Sequence, residues 1–328
     1  MKLAFLITAH SDPSQLRRLI TSLPAGSGFF VHIDAKSDLS AFSGIAQLPN
    51  VHFAGQRINV MWGSYSQLKS QIVLLKDAMA SEEHYDYFIS LSGLDYPLWS
   101  NGRLLSFFSA RQGTEFIEGI RLDRQGAQSR LYRQHRPLNR FFFRYGSIGS
   151  KFRVALRKII YGLGFRKPLS FKAHGKTYHV YKGSSWWAIT RGLAQSVLDH
   201  WADNEYRRFF LDFFGPDETF VHTVVFNSPF KDRALPSPEH AEHLEDLTPL
   251  TFIDYTTVIK VLDDSDFDRL IASGKLFCRK VVSGASDSLV QRIERERGNY
   301  SADVGRKVRG ELRAEFHILS CSNSNKNK

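Results

Sequence analysis

Residues 3 to 34 constrain the fold more tightly than any other stretch of the chain. Leu3 to Ile7 is a short continuous apolar run, as expected of a strand buried on both faces. Ala9-His10-Ser11-Asp12-Pro13 follows. Asp12 suits an N-cap, Pro13 the first helical position and Gln15 the return arm of a capping box. Leu16, Leu19, Ile20 and Leu23 then recur at helical spacing. Phe29 to Ile33 reads as a second strand ending at Asp34. A strand, a helix and a second strand in this order make a right-handed unit with parallel strands.

The same grammar continues. Val51-His52-Phe53 fits a short third strand. Trp62-Gly63-Ser64-Tyr65-Ser66-Gln67 opens a helix with another capping-box pair, Ser64 and Gln67, and Leu68, Ile72, Leu75 and Met79 form one face. Tyr87 to Leu91 is the next strand, followed by Ser92-Gly93-Leu94-Asp95-Tyr96-Pro97. The pattern predicts an α/β fold: a Rossmann-type open mixed sheet flanked by helices. Such sheets bind ligands beyond the carboxyl ends of their strands. His10, Asp34 and Asp95 all fall at predicted strand ends. Any one of them can be a turn cap; three along one edge point to a site.

Phe214-Gly215-Pro216-Asp217-Glu218-Thr219-Phe220 carries the chemistry. Pro216 fits the first position of a helix whose apolar face is Phe220, Val221, Val224 and Val225. Glu218 then lies in the first turn, where the helix dipole favours negative charge. A fixed carboxylate there is either a general base or a helix cap.

From Arg124 to Leu198 there is no Asp or Glu, and fourteen Lys and Arg lie between Arg130 and Lys182, interleaved with aromatics. With a formal net charge of +11, the chain suits anionic partners. Phe152 to Ile160 is an amphipathic pattern, so contact with an anionic membrane surface ranks first for this stretch, ahead of nucleic acid and of a solvated insertion. Gly183-Ser184-Ser185-Trp186-Trp187 follows. Adjacent tryptophans on a strand face opposite ways: either one stacks on a sugar while the other packs inside, or both are core.

No P-loop, G-x-G-x-x-G after a strand, H-E-x-x-H or C-x-x-C occurs. The D-x-D at Asp264-Ser265-Asp266 sits at a predicted helix start and reads as capping. Cys278 and Cys321 make no disulfide framework, no apolar run approaches a spanning length, and the first apolar run is too short for a signal peptide. A cytoplasmic protein, peripheral on the inner membrane face, is the expectation. Residues 1–285 read as one catalytic domain with a basic aromatic insertion at about 124–182; residues 286–328 read as a helical extension and a disordered tail.

Taken in order, these pieces resemble glycosyltransferase family 14, the core-2/I-branching N-acetylglucosaminyltransferases and peptide xylosyltransferases, in a bacterial form. The resemblance rests on His10, Phe30-Val31-His32-Ile33-Asp34, Trp62-Gly63-Ser64-Tyr65-Ser66, Ser92-Gly93-Leu94-Asp95-Tyr96-Pro97-Leu98, Gly183-Ser184-Ser185-Trp186-Trp187, Gly215-Pro216-Asp217-Glu218 and Phe277-Cys278-Arg279-Lys280. It implies a GT-A-like fold without the metal-binding D-x-D. The implied reaction is inverting, metal-independent transfer of a GlcNAc- or xylose-type sugar from a UDP-sugar to a glycan hydroxyl, in surface-polysaccharide synthesis. Glu218 matches the family's catalytic base, Lys280 the diphosphate lysine and Asp34 the acid near uracil and ribose. His10, Trp62, Asp95 and Arg279 fall on the donor side; Glu118, Trp186 and Trp187 fall on the acceptor side. No cofactor is implied. The chain departs from the family in having Cys278 where Ala is usual and in lacking an Arg and a Trp around Thr251 to Tyr255. Arg279 and Lys260 are then the candidates for a second diphosphate cation. The competing reading is a non-catalytic protein whose basic segment binds nucleic acid or acidic polysaccharide.

Overall fold

The computed structural model describes residues 1–237, 247–256 and 259–298. In chain order its first half contains β1 (Leu3–Ala9), α1 (Pro13–Ser22), β2 (Gly28–Ile33), β3 (Val51–Phe53), α2 (Tyr65–Met79), β4 (Tyr87–Ser92), β5 (Asp95–Pro97), α3 (Asn101–Ala110), β6 (Ile120–Arg121) and α4 (Ile148–Gly162). Then come β7 (Ser170–Ala173), β8 (Lys176–His179), β9 (Tyr181–Lys182), β10 (Ala188–Thr190), α5 (Arg191–Ala202), α6 (Asn204–Arg207), α7 (Phe220–Phe226), β11 (Thr251–Ile253), α8 (Phe267–Ala272) and β12 (Phe277–Arg279).

The central sheet has the order β10-β4-β1-β2-β3, and all neighbours are parallel except β10 with β4. Successive side chains of β1 point to opposite faces. Leu3, Phe5 and Ile7 pack with Leu16, Leu19 and Ile20 of α1. Ala4 and Leu6 pack with Leu68, Ile72 and Leu75 of α2. The open mixed α/β sheet read from the sequence is the one observed. Chain order runs from β1 toward β3 on one side and places β4 on the other. The loops after β1 and β4 therefore diverge and open a crevice at their carboxyl ends.

A second, three-stranded sheet has the order β11-β12-β5. β5 and β12 are antiparallel, with Arg279 directly opposite Asp95. Asp95 thus opens a strand of its own instead of closing β4. Residues 287–298 are helical. Leu289, Val290 and Ile293 of that helix are buried with Tyr96, Leu98 and Leu262. The rest of the predicted C-terminal extension and its tail lie outside the described residues.

The basic segment divides into a part packed on the core and a part that is not. The β7–β8 hairpin packs Phe171 on Tyr178, Tyr206 and Phe209, in the main core. Only α4 stands apart: none of its residues is buried. The difference follows from apolar spacing, since Leu169, Ala173 and Val180 are buried in the main core around the hairpin, whereas α4 meets the rest of the chain only through half-buried and exposed side chains such as Arg153, Val154 and Arg157. Among the described residues no helix is long and apolar enough to cross a membrane.

Candidate active site

Two cavities adjoin on the carboxyl side of the sheet. The first, about 360 Å³, is lined by the ends of β1, β2 and β4, including His10, Asp34 and Ser92, together with Lys36, Trp62, Trp186 and Arg279. The second, about 430 Å³, is lined by Tyr132, Lys182, Phe214, Asp217 and Glu218 among others. They share Trp62 and Gln67. Trp62 is 84% exposed, which places a large flat ring where the two meet.

Asp95 organises the first cavity from beneath. It is fully buried and accepts from the Ser92 N–H at 2.8 Å, the Trp186 indole N–H at 2.7 Å and Arg279 at 3.0 Å. Gln15, the predicted return arm of a capping box, instead donates its side-chain amide to the Asp95 carbonyl at 3.0 Å. Asp12 alone caps α1, accepting from the Gln15 N–H at 3.0 Å. The cross-strand register brings Arg279 to Asp95, and the guanidinium also lies 5.1 Å from the centre of the Trp186 ring. The Arg279 Nε is buried and has no partner. Asp34 pairs with Lys36 at 2.7 Å. His10 titrates below the ordinary histidine range, because its surroundings desolvate it and Arg279, Lys280 and Lys36 add positive charge against Asp34. Desolvation likewise holds His32 down at about 4, and its neutral Nε2 accepts from the Ile58 N–H at 2.8 Å. Lys260, the other candidate cation, is held by Asp266 at 2.8 Å.

Glu218 is set on the second cavity by local chain geometry. The expected first helical turn is a separate 3-10 turn, Pro216–Glu218, and α7 proper begins at Phe220. Phe220, Val221, Val224 and Val225 are buried as the spacing requires. The Glu218 N–H donates to the Gly215 carbonyl at 3.1 Å, and Gly215 donates to the Gly63 carbonyl at 3.1 Å. Gly63 has φ +66° and a Cβ there would meet the Phe214 ring at 2.7 Å, so the Trp62 loop can dock on the Glu218 turn only with glycine at this point. On the far side the Gly183 N–H donates to the Glu218 carbonyl at 2.9 Å. A Cβ on Gly183 would lie 2.2 Å from the Glu118 carbonyl and 2.3 Å from the His222 ring.

Sequence reasoning missed what surrounds Glu218. The buried Lys182 ammonium is 3.3 Å from its carboxylate. Asp217 is buried, accepts from the Ser185 hydroxyl at 2.6 Å and leaves its Oδ1 without a partner. Burial first, then the charge of Glu218, push Asp217 up to about 7. The only sequence signal for these partners was adjacency to the Gly183 and Glu218 motifs.

The structure thus gathers His10, Asp34, Trp62, Trp186 and Arg279 around the first cavity, with Asp95 beneath and Lys280 close enough to His10 to lower it. Trp186, expected on the acceptor side, faces the first cavity. Trp187 is 2% exposed and packs in the core, which corrects its reading as an acceptor residue. Glu118 lines neither cavity; it is half-buried, with its carbonyl against Gly183. The Asp264–Asp266 turn is capped through a capping box formed by Asp263 and Asp266. Among the described residues no group of three or more His, Cys, Asp or Glu is placed to hold a metal.

Comparison with known proteins places the chain in a family. The family described as "Core-2/I-Branching enzyme" matches residues 3–237. Xylosyltransferase oxt of Drosophila melanogaster is 26% identical over 237 residues, covering 70% of this chain and 24% of the relative. Xylosyltransferase 1 of Rattus norvegicus is 25% identical over 242 residues, covering 71% and 27%. The matched segment therefore spans about a quarter of these relatives. Among solved structures, S. aureus TarS (residues 1–349) aligns with 71% of this chain and 74% of that one, at 11% identity and TM-score 0.27, too slight a likeness to add to the topology. The class is that of the glycosyltransferases. Within it, the chain belongs to the Core-2/I-branching enzyme family.

Proposed function

We propose that this chain transfers a sugar from a UDP-sugar to a hydroxyl of a glycan acceptor, with inversion at the anomeric carbon and without a metal. The observation that carries the reading is the pair of adjoining cavities, one lined by Lys36 and Arg279 at the strand ends and the other holding Glu218, with Trp62 between them. UDP occupies the first cavity in this reading and the acceptor the second. Glu218 takes the proton of the acceptor hydroxyl. That oxygen bonds to the anomeric carbon as the bond from carbon to the β-phosphate oxygen breaks, and UDP leaves with the electron pair. Lys280, which has no side-chain partner among the described residues, and Arg279, paired with Asp95 at 3.0 Å, face the charge that develops on the diphosphate. The names of the relatives favour a xylose-type donor, and the family resemblance adds a GlcNAc-type donor as the other candidate.

The outward face of α4 supports a membrane-displayed acceptor. Ile148 is 87%, Phe152 58%, Ile159 58% and Leu163 69% exposed, in a segment rich in cations and free of acids. We place the enzyme at an anionic membrane surface through this helix, as suits lipid-linked glycans in surface-polysaccharide synthesis.

Melting the protein with UDP, UDP-GlcNAc and UDP-xylose, each with EDTA or Mn²⁺, tests the donor. Ligand at about 100 times its dissociation constant adds roughly 2.7 kcal/mol. Equal stabilisation under EDTA supports the cationic mechanism, and a requirement for Mn²⁺ overturns it. Glu218→Gln should lower turnover by about 10²–10⁴-fold while UDP still binds. Transfer at the wild-type rate would remove Glu218 from the mechanism.

A further inference from the structure

We propose that Arg136, Arg153 and Arg157 form a second anion site, next to the Glu218 cavity, for a phosphate group carried by the acceptor. The proposal rests on the reading of that cavity as the acceptor side.

The three arginines line a small cavity of about 90 Å³ with Met61, Trp62 and Phe214. Trp62 and Phe214 also line the Glu218 cavity, so the two are neighbours across these rings. By the same measure a water needs about 10–15 Å³, so the space holds a group of several heavy atoms.

The arginines have no charge partner. The chain has no Asp or Glu from residue 124 to 198, and among the described residues no carboxylate pairs with any of the three. The Arg136 Nε is buried without an acceptor, and its guanidinium lies 4.3 Å from the centre of the Phe214 ring. Burial first, then Arg157 and Arg153, push Arg136 down to about 10. Three like charges held together against this repulsion need an anion to balance them. Guanidinium forks match the oxygens of a phosphate in pairs, and three forks exceed what one carboxylate can accept.

Helix α4 explains how the site is built. Arg153 and Arg157 are one turn apart on one face. Ile148, Phe152 and Ile159 fall on the opposite face and are exposed. The helix turns the Arg153 and Arg157 guanidinium groups toward the protein beside the half-buried Leu156 and Ile160, and leaves Ile148, Phe152 and Ile159 outward, so cations share the face that an ordinary surface helix keeps apolar. A phosphate held by its inner face lies beside the cavity where the acceptor hydroxyl is to be deprotonated. An acceptor whose sugar is linked through phosphate satisfies both contacts at once.

The test titrates inorganic phosphate into the whole chain saturated with UDP, so that the cations of the first cavity are already occupied. Binding is read by calorimetry. Wild-type protein should bind phosphate saturably, and the double variant Arg153→Gln/Arg157→Gln should bind it at least about tenfold more weakly. Its affinity for UDP should stay within about twofold of wild type, because neither arginine lines the first cavity. Equal phosphate binding by the two proteins overturns the site. Should UDP fail to bind at all, the donor reading fails, and the same titration without UDP still judges this one.

Two further arms separate the explanations that remain. Binding to phosphatidylglycerol vesicles should survive in the double variant, since the arginines face inward; its loss in step with phosphate would assign them to lipid headgroups and overturn the acceptor role. Without phosphate, Arg157→Gln should melt no lower than wild type, because it removes a like charge. A lower melting temperature makes the arginine a structural group and also overturns the proposal.

Discussion

Asp217 and Glu218 are adjacent carboxyls with opposite surroundings. Glu218 reaches the cavity and meets Lys182, whereas Asp217 is buried against Ser185. Burial and the neighbouring Glu218 push Asp217 up to about 7. An unfolded Asp titrates near 3.9. Between about pH 4 and pH 7 the folded chain therefore holds a proton that the unfolded chain has released. Stability falls as pH rises through that window and levels off above it. Asp217→Asn cannot release this proton, so its melting temperature should decline less than that of wild type between pH 5 and 7.5. The difference should be of the order of 1–4 kcal/mol across the window. Parallel curves for the two proteins would show that Asp217 is already ionised when folded. None of this was legible in the sequence. The pattern marked Glu218, but the shift of its neighbour depends on which side chain is buried, against Lys182 at the end of β9 and Ser185 in the loop that follows it.

At the level of elements, legibility followed the range of the interactions. The β1-α1-β2 unit, α2 and β4 rest on local signals, namely apolar period, Pro13 and the Asp12 cap, and they form where expected. The capping boxes were half right. Asp12 and Ser64 cap their helices, but Gln15 turns to the Asp95 carbonyl and Gln67 accepts from the Gly63 N–H at 2.9 Å. For Gln15 a tertiary hydrogen bond replaced the local one, whereas Gln67 only reaches one residue further back than a capping box requires; both bonds fix a loop of the site. The second sheet was not read at all, because three-residue strands joined across more than 150 positions leave no periodic trace. Yet β5 and β12 set the Asp95–Arg279 pair, which is inaccessible enough for one partner to matter greatly to the other. Asp95 has no exposed surface, and the Arg279 side chain is 13% exposed. Removing one member of a buried pair typically costs about 3–5 kcal/mol. Asp95→Ala should lose that much on unfolding in denaturant and should also weaken UDP binding, since Trp186 and Arg279 lose their anchor. A loss under about 1 kcal/mol would mean that the β5–β12 pairing holds without the charges.

For the whole molecule, net charge and exposed apolar surface act over different ranges. On the membrane proposal, the formal net charge of +11 supplies a long-range attraction to an anionic bilayer that salt screens. The exposed stripe of α4 acts only at contact and is indifferent to salt. The two terms are therefore separable by one experiment. Binding to vesicles containing anionic lipid should weaken steeply between about 0.05 and 0.5 M salt, about a threefold shortening of the screening length. The residual binding at high salt should belong to the stripe. Phe152→Gln with Ile159→Gln removes two large apolar side chains that are each 58% exposed, so folding stability should change by less than about 0.5 kcal/mol per site. Burying such side chains is worth roughly 1.5–3 kcal/mol each when complete, and partial burial at an interface still leaves at least about a tenfold loss for the pair. Co-sedimentation at high salt reads that loss directly. If the double variant binds as wild type does, charge alone recruits the protein, and the apolar face of α4 serves some contact other than a bilayer.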